Sequence, residues 1–315
     1  MKVSVYCTVY NHAKYLRDAL NGFVSQKTNF PFEVFVHDDA STDGSADIIR
    51  EFAQKYPHII KPILQTENQY SKGLKIFGTF ILPHVTGKYI AVCEGDDYWT
   101  DPCKLQLQAD FLDAHPDYSA CVHNTVKEDL QTGNTSIMFD NTADRDISLE
   151  QALRGPAHCW HTSSVMYRVQ YADNRPAYFQ KAKGFGDYPL IIYLTLSGKV
   201  RFLARTMSYY RFGTANSWTS RSRANVDRLV RNHQYAIEML QALDEYTSHA
   251  HHQLIQPIIL ENEYKQLFYK GDYRCLRKAP YDVLYRKESL SFRAKTHLKQ
   301  WLKGPYKLYR KLTYK

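Results

Sequence analysis

The chain has 315 residues, 44% of them hydrophobic and 23% charged, which is enough for a sizeable core and exceeds a usual single domain. Its formal net charge of +9 lies wholly at one end: residues 286–315 carry ten Lys or Arg and one acid, Glu288, and the rest of the chain carries 31 basic and 31 acidic groups. A balanced body without a recognised reading module argues against nucleic-acid binding, and no apolar run approaches bilayer-spanning length, so any membrane contact is peripheral.

Residues 3–10 alternate as a strand, and a helix over 13–26 follows, with Tyr15, Leu16, Ala19, Leu20, Phe23 and Val24 at helical spacing. A second strand over 32–36 ends in His37, Asp38 and Asp39. Ser41 to Ser45 then supply turn and capping chemistry for a helix whose face is Ile48, Ile49, Phe52 and Tyr56. Residues 59–64 form a third strand that Pro62 confines to an edge. A helix over 74–84 leads to a strand over 88–93, which stops abruptly in Glu94, Asp96 and Asp97.

Pro102 opens a helix to about 115, strands are predicted over 118–126 and 134–139, and a short capped helix over 148–154. Residues 159–167 read as another strand, and 183–187 as a glycine-flanked acidic loop before an apolar helix over 188–196. A strand over 200–210 and a polar loop come next, and the remainder is helical, notably 226–246 and 253–269. The βαβαβαβ order predicts an α/β fold with a largely parallel sheet between helices, in which ligands bind outside the carboxyl ends of the strands.

Six cysteines show no CxxC and no paired metal-type spacing, and the N-terminus reads as a strand rather than a signal peptide. A reducing, cytoplasmic setting is expected.

The topology rule gives the acidic residues a place. Asp38 and Asp39 end the second strand while Asp96 and Asp97 end the fourth, so both pairs open onto one sheet edge. Three carboxyls at one strand tip repel one another unless a cation or hydrogen-bond donors offset their charge; a solvated acidic turn is the other reading. Hard oxygen ligands suit Mg²⁺ or Mn²⁺, whose shell substrate phosphates complete. Turn capping is the favoured role for Asp38 and ligand binding for Asp39, since Ser41 or Thr42 already supplies a cap. A metal on Asp97, with Asp96 near it, calls for a nucleotide diphosphate whose base lies toward Asp39. The reaction suited to such a site is transfer of the group beyond the diphosphate. Asp187 is the candidate base for an acceptor hydroxyl, or alternatively an N-cap for the helix that follows it.

Three ordered stretches, VSVYCTVYN, VHDDASTDGS and CEGDDYWTDPCKLQLQ, resemble a family 2 glycosyltransferase of the GT-A fold, and FGDYPLIIYLTLSGK and MSYYRF extend the resemblance to about residue 218. It implies a Rossmann-like mixed, mainly parallel sheet flanked by helices. A glycosyltransferase domain is then expected over 1–220, with a nucleotide half to about 115 and an acceptor half after it. A helical extension over 221–285 and a basic amphipathic tail over 286–315 follow. By position in the motifs, Thr8, Tyr10 and Asp39 would hold the nucleoside, Asp96 and Glu94 the ribose side of the donor, Asp97 the Mn²⁺ or Mg²⁺ ion, and Asp187 would be the catalytic base. Inverting transfer without a covalent intermediate is implied. The donor would be a nucleotide sugar, a UDP-sugar foremost, and the acceptor a glycan or lipid-linked precursor of a surface glycan.

Two positions depart from the pattern. Glu94 stands where the family often has Asp, and Gly213 where many relatives carry a His, so a metal or phosphate contact expected there is either absent or supplied by a neighbour such as Arg211 or Trp218. His161, with Trp160, either approaches the acceptor or packs as an ordinary hydrogen-bonded strand residue.

In the tail, Arg293, Lys299, Lys303, Lys307, Arg310 and Lys311 interleave with Phe292, Leu298, Trp301, Leu302, Tyr306, Leu308 and Tyr309. This suits a helix lying on an anionic membrane, kinked at Gly304 and Pro305, which would make the protein peripheral on the inner face; a solvated basic terminus is the alternative. Two other functions compete. Nucleotidylyl transfer would call for a Gly-rich loop after the first strand, which TVYNHAKYL lacks. A non-catalytic nucleotide-sugar or glycan-binding module would bind donor without turning it over.

Overall fold

The computed structural model of the chain describes residues 1–140, 142–214 and 225–313, with side chains up to residue 301. The chain divides into two compact units, one formed by Met1–Arg175 with Asp187–Ala215 and the other by Pro176–Gly186 with Asn216–Lys315.

The first unit is built on a mixed sheet. Its leading strands are β1 (Val3–Val9), β2 (Phe32–Asp38), β3 (Ile60–Leu64) and β4 (Tyr89–Val92). The short β5 (Tyr98–Trp99) and the long β6 (Tyr118–Asp129) follow, then β7 (Thr135–Ile137), β8 (Arg145–Asp146), β9 (Met166–Arg168) and β10 (Lys199–Phe212). The order is β3-β2-β1-β4-β9-β6-β10-β5, with β7 on β6 and β8 on β10. β3, β2, β1 and β4 run parallel, as do β6 and β10, whereas β9 is antiparallel to both its neighbours and β5 and β8 are antiparallel to β10. Most of the paired length is parallel, and Pro62 sits at the sheet edge, where its missing N–H breaks no ladder.

Helices α1 (Ala13–Val24), α2 (Ser45–Lys55), α3 (Lys104–Ala114), α4 (Leu149–Leu153) and α5 (Asp187–Ser197) join these strands. In α1, Leu16, Ala19, Leu20 and Phe23 recur at helical spacing, are fully buried and join the core under β1. Each large side chain there contributes about 1.5–3 kcal/mol by leaving water. The short α4 is capped as expected, and the cap is a capping box, Ser148 and Gln151 each serving the other's backbone N–H.

Three expectations change. Residues 74–84 form a π turn (Phe77–Ile81) and a 3₁₀ turn (Leu82–His84) rather than an α-helix, because Gly78 weakens the helix and Pro83 cannot donate. Tilted ring contacts of Phe77 with Tyr6 at 4.7 Å and of Phe80 with His37 at 5.5 Å hold the turns to the sheet. Of the strand expected over 159–167 only its end belongs to β9. His161 and Ser164 bind nearby backbone and side-chain groups instead, the Ser163 N–H donating to His161 Nδ1 and the Ser164 hydroxyl to the His161 carbonyl, so Thr162–Ser164 turn as 3₁₀. The third concerns β5 and β8, both absent from the sequence reading because two residues carry no periodicity.

The second unit contains a hairpin of α6 (Val226–Tyr246) and α7 (His252–Lys270), then α8 (Asp282–Tyr285) and α9 (Leu290–Thr313). The Asn225 side chain caps α6 by accepting the Arg228 N–H, and Gly271, at φ +71°, closes α7 in the left-handed region. Tyr264, Tyr273, Leu276 and Tyr285 form a small core that Phe292 of α9 joins, stacking on Phe268 at 5.2 Å. α9 continues as helix through positions 304 and 305, where a break or kink was expected; Leu302, Lys303, Tyr306, Lys307, Leu308, Tyr309, Arg310 and Lys311 lie outside the described side chains. No described helix is long and apolar enough to cross a membrane.

Candidate active site

Register brings the two acidic tips together. β1 lies between β2 and β4, and its last residues serve both: the Asp39 N–H donates to the Val9 carbonyl at 2.9 Å and the Gly95 N–H to the Thr8 carbonyl at 3.0 Å. Gly95 is required at this approach, since a Cβ there would come within 2.9 Å of Val9 Cγ2 and 3.0 Å of His12 Nδ1.

The loops after β1 and β2 are fastened to each other. The Asn11 N–H donates to Ser41 Oγ at 2.8 Å, the Thr42 N–H to Asn11 Oδ1 at 2.8 Å, and the His12 N–H to Ser45 Oγ at 3.0 Å. Asp43 joins two helix starts, accepting from the Ala13 N–H of α1 at 2.8 Å and from the Ser45 N–H of α2 at 3.0 Å. A wall of fixed backbone therefore stands beside Thr8, Tyr10 and Asp39. Thr8 is half-buried, Tyr10 is 42% exposed and Asp39 is buried. Asp38 is the turn residue its sequence suggests, accepting the Ser41 N–H at 3.1 Å. Asp39 takes the N–H groups of Gln69 and Tyr70 at 2.8 and 3.0 Å, one on each oxygen, so it also positions the segment after β3. Each carboxylate oxygen has a second lone pair for a ligand.

On the other side of Thr8, one carboxylate oxygen from each of Glu94, Asp96 and Asp97 falls within 4.8 Å of the other two. Asp97 is 1% exposed, and desolvation first, then the charges of Asp96 and Glu94, hold its carboxyl well above the usual range. Desolvation, Asp96 and Asp187 push Glu94 up to about 8, although the residue is exposed at the surface, so the neighbouring carboxylates are the firmer cause. The set is short of positive charge. Arg211 turns its guanidinium to Asp18 and to the backbone oxygen of Asp96, while its N–H donates to Asp97 Oδ1 at 3.0 Å. The guanidinium also lies 4.3 Å from the centre of the Tyr98 ring. Pairing of β5 with β10 accounts for this meeting, because Tyr98, directly after Asp97, faces Tyr209. Arg211 is thus a positioning residue for the acidic turn; Trp218, the alternative, lies outside the described residues.

Sequence reasoning missed three neighbours. Thr214 Oγ1 donates to Asp96 Oδ2 at 3.0 Å, His12 Nε2 stands 4.0 Å from the same oxygen, and Asp18 anchors Arg211 across 193 residues. Only His12, placed directly after the first strand tip, left a signal. His161 takes its packed, hydrogen-bonded reading: it lies on the Tyr210 ring at 4.3 Å and hydrogen-bonds Ser163, and its Nε2 stands 3.8 Å from Asp97 Oδ2. Burial pushes its pKa down to about 3, so the ring is neutral.

Asp187 opens α5, and its Oδ1 accepts the Tyr188 N–H at 2.9 Å, the capping contact foreseen for it. It is also near enough to Glu94 to help raise that residue's pKa, and burial raises its own above the usual carboxylate range against the opposing backbone hydrogen bonds. Asp187 thus acts on Glu94, the first of the three. The hard oxygens of Glu94, Asp96 and Asp97, crowded and undercompensated, fit Mg²⁺ or Mn²⁺ better than a softer ion.

The family model described as glycosyl transferase family 2 matches residues 4–175. An uncharacterized protein of Mycobacterium tuberculosis is 36% identical over 222 residues, 69% of this chain and 61% of that protein, so the chain spans about three fifths of that relative's length. An uncharacterized glycosyltransferase of Nostoc is 30% identical over 247 residues, 76% of this chain and 73% of the relative. Among solved structures, S. aureus TarS in complex with UDP-GlcNAc overlaps 86% of this chain and 80% of its own with a TM-score of 0.53 at 18% identity. The Pyrobaculum calidifontis mannosyltransferase in complex with GDP-Man and Mn²⁺ overlaps 96% and 84% with a TM-score of 0.53 at 16% identity, so the fold is of the GT-A type. With this family match over more than half its length, the chain belongs to glycosyl transferase family 2.

Proposed function

We propose that the chain is an inverting, metal-dependent glycosyltransferase that moves a sugar from a nucleotide-diphosphate sugar, a UDP-sugar foremost, to a hydroxyl of a surface-glycan precursor. The observation that carries the reading is the fastening of the Asp39 turn and the Glu94–Gly95–Asp96–Asp97 turn to consecutive carbonyls of β1, with Asp187 electrostatically coupled to the second. UDP-GlcNAc in TarS, and GDP-Man with Mn²⁺ in the Pyrobaculum enzyme, support a nucleotide-sugar donor and a divalent ion.

In this reading Thr8, Tyr10 and Asp39 hold the nucleoside, and Asp96 with Glu94 the ribose side of the donor. Asp97 is the principal ligand of Mn²⁺ or Mg²⁺; when bound, the ion offsets charge on the leaving diphosphate. Arg211 keeps the Asp97 carboxylate in place by its N–H, and His161, a neutral ring 3.8 Å away, adds no charge that would compete with the ion. Asp187, oriented by the Tyr188 N–H on Oδ1, receives the acceptor's proton on its other oxygen. The acceptor oxygen forms a bond to the anomeric carbon as the bond to the diphosphate oxygen breaks, and the diphosphate leaves with the electron pair. A carboxyl whose pKa is raised by burial is a better base than a solvated one.

The tail supports a membrane-linked acceptor. In α9, Leu290, Leu298 and Trp301 are 76%, 57% and 70% exposed among Arg293, Lys295 and Lys299, an apolar and basic surface suited to an anionic bilayer. The decisive experiment measures nucleotide-diphosphate release from a panel of nucleotide sugars with and without Mn²⁺. Metal-dependent release from one donor is predicted. Nucleotide binding without release would favour a binding module, and pyrophosphate formation from a nucleoside triphosphate and a sugar phosphate would favour nucleotidylyl transfer.

A further inference from the structure

We propose that the turn between α6 and α7, in the second unit, is a separate metal site that takes a borderline divalent ion, Zn²⁺ foremost, on Asp244, His249 and His252. The two imidazoles point the same ring nitrogen at one oxygen: Nδ1 of His249 lies 3.0 Å and Nδ1 of His252 2.7 Å from Asp244 Oδ2. One ligand atom from each residue falls within 4.8 Å of the others. Zinc bonds of 2.0–2.1 Å in a tetrahedral centre separate neighbouring ligand atoms by roughly 3.4 Å, so small side-chain adjustments open the space for an ion.

A second observation is independent of that convergence. Asp244 is 4% exposed, yet its Oδ1 has no hydrogen-bond partner. A buried carboxylate oxygen without a donor is costly, and a cation held by the Asp244 carboxylate would offset that cost.

The local fold supplies the arrangement. Asp244 is in the last turn of α6 and His252 begins α7, while left-handed backbone at Ser248 and His249, φ +49° and +61°, folds the chain back between them. The His249 N–H donates to the Asp244 carbonyl at 2.9 Å, fixing the loop, and the two rings cross at 78°, so both approach one point without stacking. His249 and His252 are exposed, which leaves an entry path and an open fourth position for water. Two imidazoles and one carboxylate suit Zn²⁺ rather than Mg²⁺, which separates this site from the all-oxygen set in the first unit.

The test uses the untagged full chain carrying Asp97→Asn, so that the oxygen site does not contribute. Equilibrium dialysis against Zn²⁺ with metal analysis should find one retained equivalent, lost in His249→Gln and in His252→Gln. On the same chain without those changes, the imidazole proton resonances of His249 and His252 should shift on adding Zn²⁺ and stay fixed on adding Mg²⁺, a readout that does not require the variants to fold. Absence of retained Zn²⁺, retention unchanged in both histidine variants, or unmoved resonances would show that the three side chains form only a hydrogen-bonded knot.

Discussion

Replacing Asp97 by Asn should make the metal-free protein more stable and the enzyme inactive, a pairing that an ordinary structural aspartate would not give. The side chain is almost fully buried, and its carboxyl is held well above the usual range by desolvation and by Asp96 and Glu94. At the 4.8 Å limit of the carboxylate cluster and an effective dielectric of about 20, each like-charge pair costs about 3 kcal/mol. Partial protonation of Glu94, raised to about 8, relieves some of that cost without metal. The gain from Asn is therefore about 1–3 kcal/mol, or roughly 2–10 °C in melting temperature. Asn keeps the acceptor for the Arg211 N–H, so the turn has no reason to move. Melting should be followed in EDTA and in Mn²⁺, with nucleotide-diphosphate release in parallel. We predict a higher melting point in EDTA, no further rise with Mn²⁺, and turnover lower by on the order of 10²–10³. A variant that melts lower in EDTA, or that keeps full Mn²⁺-dependent turnover, would refute the reasoning.

Asp187→Asn preserves the acceptor for the Tyr188 N–H, so donor affinity should hold while transfer falls by about 10²–10⁴; parallel loss of donor binding in calorimetry would assign Asp187 a structural role alone. Lys104, fully buried against Gln108 and the Trp99 ring, is driven by desolvation from 10.5 down to about 7. The unfolded chain then binds more protons between those values, so stability should climb with pH from about 7 to about 10.5, by at most about 1.4 kcal/mol per unit. Urea titrations at several pH values should show the slope flattened in Lys104→Met, and an unchanged slope would count against a neutral buried amine. Leu298→Glu with Trp301→Glu should release the chain from anionic vesicles and leave donor turnover intact; undiminished sedimentation with vesicles would remove the membrane role. These exposed positions make a cleaner test than cutting the tail off, since Phe292 and Thr296 belong to the packed part of α9.

What could be read from the sequence was local. The apolar runs of β1, β2 and β4, the abrupt carboxyls after them and the parallel-sheet rule together place Asp39 and Asp97 on one edge. Pro62 announces an edge strand, and Ser148 the start of a short capped helix. What could not be read depends on partners far along the chain. Arg211 looks like a phosphate contact until Asp18, 193 residues earlier, takes its guanidinium. Thr214 gains meaning only because β10 brings it to Asp96. The stretch 159–167 has strand composition, but His161, Ser163 and Ser164 offer the backbone a competing set of hydrogen bonds, which periodicity does not register.

The central claim is that a nucleotide sugar lies across the shared ends of β1, β2 and β4. The most direct measurement is a crystal structure of the chain with UDP and Mn²⁺. The account predicts the ion on Asp97, the diphosphate against it, and uracil beside Asp39 and Thr8. Density for the nucleotide at any other place, or Mn²⁺ bound away from Asp97, would contradict it.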